Sequence, residues 1–404
     1  MNRIARAKFT FIALCGSLLL AACGGGGGGS APMGSLGVSL TDSPACGFDA
    51  VNITVDEVRV HQSSTASSTS TGWSTITLNP PKKINLLDLT NGVLDSLGET
   101  PLPAGHYTQL RLVLDRNTGS NVANSVVPSG TTTEIALDTP SAVQSGIKLI
   151  NQFDVAPGQR TDLLLDFDAC KSIVAMGNGG YSLMPVVKLI PFALNGISGY
   201  VDTSLLTDSS SNRNGNNVML MAEQNGEVIR STAPDPMTGQ FVLAHLDTGT
   251  YDVVVTADGY ATAVIAGVPV TGATSTVAVS TQMNPITLPT SATATVGGTV
   301  MLSPPTSNVV AFVAAQQTLN GGPLVTVKSQ SVDQMYGTYS LTLPTDAPLL
   351  GQYATSLPLT LSSAAQASVA GQYAIQASAD GYATQSAAVD FSAAIPPLDF
   401  TLAQ

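Results

Sequence analysis

The chain is poor in charge, above all in basic residues, and poor in aromatic rings. Only 10% of its 404 residues are charged, and 15 Lys and Arg stand against 27 Asp and Glu. Coiled coils and helical bundles need more Lys and Glu, and a nucleic-acid-binding surface needs clustered Lys and Arg, so the composition excludes both classes. Aromatic residues make up 5%, with a single Trp, which leaves few rings for a sugar-binding surface.

Motifs of catalytic sites are also missing. The three histidines are His61, His106 and His245, and none belongs to a His-Glu-x-x-His or a Cys–His arrangement. The chain has no Gly-x-Ser-x-Gly, no phosphate-binding loop and no dinucleotide-binding glycine pattern that follows a strand. We therefore predict that the protein is not an enzyme and uses no cofactor, and that its histidines lie at strand edges.

Residues 1–22 have the pattern of an export signal. Three basic residues within 3–8 precede an apolar stretch of about 12 residues, too short for the ~20 that span a bilayer. Leu-Ala-Ala-Cys at 20–23 resembles a bacterial lipobox, which implies cleavage after residue 22 and lipidation of Cys23. An ordinary signal with an incidental cysteine is the alternative. Gly24, next to the lipidated position, implies the outer membrane by analogy with lipoprotein sorting.

Residues 23–35 are rich in glycine and predict a flexible tether between the lipid and a globular part. Two or three acyl chains on Cys23 would make this anchoring stable. The signal carries three basic residues and no acidic one, so the remaining chain has a formal charge of −15. We expect a protein that is lipid-anchored in the outer membrane and faces the periplasm or the cell surface.

From residue 36 onward, short alternating apolar patterns separated by Gly, Pro, Asn and Ser predict strands and turns. The alternation changes phase at Asp56 and Glu57, which predicts a β-bulge. The Ser/Thr-rich segment 63–71 predicts a mobile loop, and 84–97 has room for a helical turn. Further strands are predicted at 73–78, 106–114, 132–137, 147–155, 160–167 and 183–190.

The second half of the chain contains a repeat. Ala-Asp-Gly-Tyr-Ala-Thr occurs at 257–262 and again at 379–384, and each copy is preceded by Gly-x-Val-like and Gly-x-aromatic segments. The second copy has roughly 24 extra residues within 344–370, which we interpret as a long loop. Two copies of about 100 residues indicate two tandem modules, at 195–290 and 291–404. Asp-Gly in each hexapeptide predicts a tight turn.

Two families resemble parts of this chain. The repeated pattern, with Leu-x-x-Gly-x-Tyr at 246–251, resembles carboxypeptidase regulatory-like modules, which implies transthyretin-like, or carbohydrate-binding-like, sandwiches over 195–404. Residues 36–194 resemble a bacterial domain of unknown function, number 4382, which implies architecture but no catalytic residues. The second resemblance depends on Val-Ser-Leu-Thr-Asp-Ser-Pro at 38–44, Val-Asn-Ile-Thr-Val at 51–55, Leu-Leu-Asp-Leu at 86–89, Leu-Pro-Ala-Gly-His-Tyr at 102–107 and Asp-Phe-Asp-Ala at 166–169. We therefore expect an all-β protein of three β-sandwich domains in tandem, the C-terminal two transthyretin-like.

Two cysteines remain after Cys15 leaves with the signal and Cys23 is lipidated. An even pair in an oxidising compartment predicts a disulfide between Cys46 and Cys170, with two separate buried thiols as the alternative. Such a bond would bring four carboxylates near one another, which repel unless a cation neutralises them; calcium is the ion that oxygen ligands favour. These weak calcium candidates are Asp42, Asp49, Asp166 and Asp168. No Asp-x-Asp-x-Asp-Gly loop occurs, and turn-capping aspartates are the alternative.

Recognition without catalysis is the function that the sequence favours: a cell-envelope binding or structural module whose partner is a glycan or an envelope protein. A carbohydrate-binding surface protein is one alternative, with Tyr260 and Tyr382 as a ligand platform if their rings are exposed instead of packed against their own modules. A calcium-stabilised adhesion protein is a second alternative. The loops 63–71, 209–217 and 344–370 are the candidate contact segments.

Overall fold

The computed structural model describes residues 32–43, 47–119, 122–191, 195–206, 218–272, 276–306 and 309–404. Within these ranges the chain is almost entirely β, which confirms the predicted fold class. Its buried apolar side chains form three clusters that follow one another along the chain. We call the regions around them the first, second and third units. None of the helices in this part of the chain is long and apolar enough to cross a bilayer.

The first unit packs a four-stranded sheet, in the order β14-β11-β1-β4, against a larger sheet centred on β2. Strand β1 pairs in parallel with β11 and antiparallel with β4, and β5 pairs with β10 in a small ribbon. A 3₁₀ turn at Leu86–Leu89 lies within 84–97. The elements are β1 (Met33–Ser43), β2 (Phe48–His61), β3 (Ser74–Asn85), β4 (Asp95–Pro103), β5 (Gly105–Tyr107), β6 (Gln109–Leu114), β7 (Ser125–Pro128), β8 (Ile135–Asp138), α1 (Pro140–Gln144), β9 (Ile147–Leu149), β10 (Phe153–Val155), β11 (Arg160–Asp168), α2 (Ala169–Ser172), β12 (Ile173–Ala175), β13 (Tyr181–Leu183) and β14 (Val187–Pro191).

Strand β2 shows how the alternating sequence produces this sandwich. Val51, Ile53 and Val55 are buried on one phase of the alternation, and Val58 and Val60 are buried on the other. The register of β2 against β3 and β6 shifts between Val55 and residue 57, which confirms the predicted bulge. The extra residue keeps both apolar sets facing the core, because a one-residue slip reverses the faces of a strand.

The second and third units are two-sheet modules built in the same order. The second has sheets β18-β15-β21 and β17-β16-β19-β20-β26, and the third has β25-β22-β29 and β24-β23-β27-β28. Gly259 and Gly381 occupy the turns of the two hexapeptides with φ of 80° and 79°, a conformation that glycine adopts without strain. The strands are β15 (Gly196–Tyr200), β16 (Val218–Gln224), β17 (Glu227–Thr232), β18 (Gln240–Ala244), β19 (Gly249–Ala257), β20 (Ala263–Val270), β21 (Thr276–Ala278), β22 (Thr293–Ser303), β23 (Ala311–Thr318), β24 (Leu324–Ser331), β25 (Thr338–Pro344), β26 (Leu349–Gln352), β27 (Gln372–Ala379), β28 (Gln385–Asp390) and β29 (Phe400–Ala403).

The extra residues 344–370 of the third unit are not simply the long loop that the sequence predicted. They contain strand β26 and a 3₁₀ turn at Ala367–Val369. Strand β26 pairs in parallel with β20 of the second unit, with Ala263 opposite Leu349 and Ala266 opposite Gln352. The sequence did not predict this strand, because four residues carry too little alternation to recognise. The third unit thus supplies the last strand of its neighbour's sheet and covers an otherwise unpaired edge.

The segment 63–71, predicted as a mobile loop, is held against the first unit by Trp73 and two arginines. The Trp73 ring lies 4.9 Å from the Arg59 guanidinium carbon and 5.2 Å from that of Arg111. Trp73 Nε1 donates to the carbonyl of Ser67 at 3.0 Å, and Arg111 Nη2 donates to the carbonyl of Ala66 at 3.0 Å. The sequence of the loop did not predict these contacts, because Arg59, Trp73 and Arg111 lie outside segment 63–71.

Candidate functional site

Three of the four carboxylates predicted as weak calcium candidates lie at the same end of the paired strands β1 and β11, but they do not share one face of the sheet. In the parallel pairing of β1 with β11, Asp42 lies opposite Phe167, between the positions of Asp166 and Asp168. Asp42 is buried and its Oδ1 accepts a hydrogen bond from the Ala169 amide at 3.1 Å. Asp168 caps α2 by accepting from the Lys171 amide at 3.0 Å, and its other oxygen pairs with Lys171 Nζ at 2.8 Å.

Asp49 is not part of this group. Its two carboxylate oxygens accept from Ser129 Oγ at 3.0 Å and from the Gly130 amide at 3.3 Å, so it caps a turn of the larger sheet. Within the described residues, no three His, Cys, Asp or Glu side chains are arranged to hold a metal ion. Asp49 therefore caps a turn and Asp168 caps α2, as in the alternative interpretation of these aspartates from the sequence.

The cation that faces Asp166 is a guanidinium of the second unit. Arg230 Nη1 lies 2.8 Å from Asp166 Oδ2, and the two side chains are only 11% and 8% exposed. Burial raises the pKa of the Asp166 carboxyl, while the Arg230 charge acts in the opposite direction. Asp166 projects from the face of β11 opposite to Phe167, so this ion pair joins the first unit to the second.

A turn of the first unit forms a second contact with the second unit. Asn91 has a positive φ of 59°, and its side-chain oxygen accepts from both Thr232 Oγ1 and the Val242 amide at 3.0 Å. The backbone amide of Asn91 donates in turn to Thr232 Oγ1 at 2.9 Å. Thr232 is buried, so these bonds form in an interface shielded from water. The polar groups on both sides are satisfied across the boundary.

The second and third units share part of an apolar core. Met221, Val254 and Val264 of the second unit belong to the same buried cluster as Val325 and Val327 of the third. These three side chains alternate with the residues that fill the second unit's own interior, so its larger sheet is buried on both faces. Strands of a sheet that is buried on both faces have continuous apolar sequences, and β16 and β19 contain such runs.

A carboxyl group lies buried within this shared interface. Glu223 on β16 is fully buried, and its Oε2 accepts from the Thr326 amide of β24 at 2.8 Å. Among the described residues, Oε1 has no hydrogen-bond partner. Burial raises the pKa of Glu223 to about 8, and the nearby Asp252 charge adds to this effect. The raised pKa favours the uncharged form of this buried carboxyl near neutral pH.

The first and third units also touch. The backbone amide of Gln334 donates to the Ala175 carbonyl at 3.3 Å, and Ser331 Oγ donates to the Ile173 carbonyl at 3.4 Å. Gly177 lies so near the Tyr336 ring that an added Cβ would come within 2.4 Å of it. Each unit therefore contacts both of the others, and the junction of the three is the main feature that the sequence did not predict.

His61 and His106 have hydrogen bonds with neighbouring residues of the first unit. His106 Nδ1 lies 2.8 Å from Asp154 Oδ1, and both side chains are at least half exposed in the β5–β10 ribbon. His61, at the end of β2, accepts at Nδ1 from the Ser63 backbone amide at 2.8 Å, where segment 63–71 begins. Asp166 lies elsewhere, against Arg230 of the second unit.

The two predicted platform tyrosines differ in their surroundings. Tyr382 is 9% exposed, and its hydroxyl donates to the Pro304 carbonyl at 2.5 Å. It packs against its own module, which is the alternative considered from the sequence, and it does not present its ring to a ligand. Tyr260 is half-buried in the second unit and borders the junction of the three units. The equivalence of the two hexapeptides in sequence therefore does not extend to exposure.

Five other predictions fall partly or wholly on residues outside the described ranges, among them the export signal at 1–22 and the tether at 23–35. Cys23 and Cys46 lie there, and so does the candidate loop 209–217. Cys170 lies in α2, directly before Lys171. The pairing of Cys46 with Cys170 and the lipidation of Cys23 stay predictions.

Part of the chain matches a known protein family. Residues 33–185 match the model of the domain of unknown function DUF4382. This region corresponds to the first unit and confirms the resemblance of the DUF4382 motifs. No curated protein matches the chain.

Several solved structures share some similarity with the chain. A type II cohesin–X-dockerin complex mutant from Acetivibrio cellulolyticus is 25% identical over 24% of this chain and 58% of its own, with a TM-score of 0.19. A streptococcal ancillary pilin is 9% identical over 92% of this chain and 99% of its own, with a TM-score of 0.18. The Bacillus anthracis TIE protein is 10% identical over 92% of this chain and 50% of its own, with a TM-score of 0.17. At such TM-scores the similarities have no functional implication.

Proposed function

We propose that the protein is a non-catalytic lipoprotein of the cell envelope, in which three β units are fixed together as a binding or structural module. The observation that carries the fixed arrangement is the junction, where every unit has specific polar contacts with the other two. Domains within one chain usually move relative to one another unless their interface is large and apolar. Here the second and third units share an apolar cluster and a sheet, and a buried ion pair joins the first unit to the second.

The proposed membrane attachment depends on the N-terminal sequence. The lipobox-like residues 20–23 and the glycine-rich residues that follow support an acylated Cys23 and a flexible connection to β1. The outer membrane is the proposed location, and the two C-terminal units are proposed to be carboxypeptidase regulatory-like modules. In this arrangement the DUF4382 region lies next to the lipid tether in the chain, and the two modules follow it.

Replacing Cys23 by serine is expected to move the protein from the membrane fraction to the soluble periplasmic fraction. The variant lacks the thiol that receives the diacylglyceryl group, so no acyl chains hold it at the bilayer. Fractionation and intact-mass measurement of both forms check this, with Cys15→Ser, which changes a cysteine inside the signal, as the matched control. An unmodified Cys23 in the wild type would exclude the anchor but leave the fixed module intact.

Calorimetric unfolding of the Cys23→Ser chain is expected to show one cooperative transition instead of three. Each unit loses buried contacts when a neighbour unfolds, because β26 completes the sheet of the second unit and Asp166 depends on Arg230. The ratio of calorimetric to van't Hoff enthalpy measures this coupling and equals one for a single transition. Three resolved transitions would contradict a fixed module and favour freely moving domains.

A further inference from the structure

One sheet edge of the third unit differs from the corresponding edge of the second unit. In each unit the strand that leads into the hexapeptide, β19 or β27, pairs with the strand that follows it, β20 or β28. Strand β26 then covers the other side of β20, whereas among the described residues no strand pairs with the outer side of β28. An uncovered strand presents main-chain groups to which another strand can be added.

The main-chain groups of β28 that point outward follow from its pairing with β27. The Phe391 amide donates to the Gly371 carbonyl at 3.0 Å, and these two residues continue the register of the two strands. Bonded positions alternate along an antiparallel pair, so the odd-numbered residues of β28 bond to β27. The amides and carbonyls of Ser386 and Ala388, and the amide of Asp390, therefore point away from the sheet.

Strand β28 also lacks the features that protect edge strands from pairing. It has six residues, Gln-Ser-Ala-Ala-Val-Asp, which include no Pro and no basic side chain, and its register against β27 has no shift. In the described part of the chain, every other strand at the edge of a sheet contains Pro or a basic residue or has at most five residues. The composition of β28 therefore favours the addition of a strand at this edge.

A second copy of β28, antiparallel and related by a two-fold axis, fits this edge. With Ala388 opposite Ala388 of the second copy, their main-chain groups bond to each other, and the Asp390 amide donates to the Ser386 carbonyl of the second copy. On the exposed face the Ser386 hydroxyl then lies beside the Asp390 carboxylate of the second copy, and no like charges meet. On the core side Ala387 lies opposite Val389, so two apolar residues meet there as well.

The existing contacts of Asp390 are compatible with this pairing. Its Oδ1 accepts from the Ser392 amide at 2.9 Å and its Oδ2 from Gln372 Nε2 at 3.2 Å, and an ionised carboxylate has about four sites for hydrogen bonds. The Asp390 carbonyl accepts from the Ala393 amide at 3.2 Å, so the chain turns directly after this residue. The paired segment is therefore short, and short interfaces give weak association.

We propose that the protein forms a symmetric dimer in which the β28 strands of two copies pair and join their β24-β23-β27-β28 sheets into one continuous sheet. A two-fold axis uses each β28 edge once, so association stops at the dimer. The pairing requires neither the lipid anchor nor a ligand, so it goes beyond the function proposed above.

Sedimentation equilibrium of the Cys23→Ser chain from about 5 to 500 µM tests the dimer. The parent chain is expected to show a monomer–dimer equilibrium in this range. Ala388→Lys, at an exposed position, places like charges opposite each other at the axis and should weaken dimerisation about fivefold. Ser340→Lys, which adds the same charge at an exposed position of β25, is the control and should leave it unchanged. A chain that stays monomeric throughout, or an Ala388→Lys chain that dimerises like its parent, would overturn the proposal.

Two further experiments test the partner and the register. An equal mixture of Ala388→Lys and Ala388→Glu chains should dimerise more tightly than either chain alone, because opposite charges then meet at the axis. Ala388→Cys should form an oxidised dimer, since paired Cα atoms about 5.5 Å apart lie within the range of a disulfide, whereas Ser386→Cys should not. No gain on mixing, or no cross-link in Ala388→Cys, would contradict the proposed pairing.

Discussion

Replacing Arg230 by methionine is expected to lower the free energy of unfolding by about 3–5 kcal/mol at pH 8. Methionine fills much of the space of the arginine stem but leaves the buried Asp166 carboxylate without its hydrogen-bonded counter-charge, so that only the weaker effects of the Lys188 and Lys171 charges remain. The Asp166 side chain is 8% exposed, so water cannot replace the guanidinium. Urea unfolding followed by circular dichroism measures the loss as a lower midpoint with an unchanged slope.

The same variant should lose less stability at pH 5. Burial already raises the pKa of Asp166, and removal of Arg230 raises it further, so the carboxyl is protonated more readily in the folded state. A group with a raised pKa stabilises the fold at low pH and loses that contribution as the pH rises through its folded value. The difference between wild type and variant therefore increases from pH 5 to pH 8.

Two controls distinguish the ion pair from a general effect of losing a charge. Arg160→Met removes an exposed arginine that pairs with Glu99 and Asp162, and it should leave the midpoint of unfolding unchanged. The double variant Arg230→Met with Asp166→Leu should recover most of the loss, because an apolar pair can replace a buried ion pair. An Arg230→Met chain as stable as wild type at pH 8 would show that the pair does not hold the two units together.

Replacing Glu223 by glutamine is expected to raise the free energy of unfolding at pH 8, by up to about 5 kcal/mol. The pKa of this carboxyl is 4.5 in a model compound and about 8 in the folded protein, and the difference corresponds to that energy. In the wild type the stability contributed by the protonated Glu223 carboxyl is fully present below pH 4.5 and is lost between pH 4.5 and 8. The amide of glutamine never ionises, so the variant keeps its stability over this range.

The measurement is the urea midpoint of both chains at several pH values from 4 to 9. At pH 4 the two midpoints should lie close together, since Glu223 is then mostly uncharged in both the folded and the unfolded state. Asp252, whose pKa burial also raises, leaves a smaller pH dependence in the variant. Glu227→Gln on β17 is the control, because that side chain is exposed and its replacement should change neither curve. A Glu223→Gln chain with the wild-type pH dependence would contradict the buried-acid interpretation.

The features that could be predicted from the sequence are those that depend on residues close together in the chain. The alternation in β2, the bulge beside Glu57 and the turns at Gly259 and Gly381 all depend on neighbouring residues, and each is present in the structure. The DUF4382 motifs predicted the first unit for the same reason, since each is a short run of neighbouring residues.

The junction could not be predicted in this way. Asp166 and Arg230 are 64 residues apart, and Glu223 and Thr326 are 103 apart, with nothing in either neighbourhood that names the partner. One signal was available: Glu223 ends the apolar run Met-Leu-Met-Ala of β16, whose residues are apolar on both faces. A strand apolar on both faces predicts a second packing partner, and a carboxyl within it predicts a buried acid.

The pairing of β26 with β20 has a consequence for biogenesis. A ribosome releases the chain from its N-terminus, so residues 263–270 emerge well before residues 349–352. Until then the newly made second module exposes an unsatisfied row of amides and carbonyls, the kind of surface on which nascent chains aggregate. Completion of that module is therefore delayed until its successor has been synthesised, and a chaperone that shields this border has a defined interval in which to act.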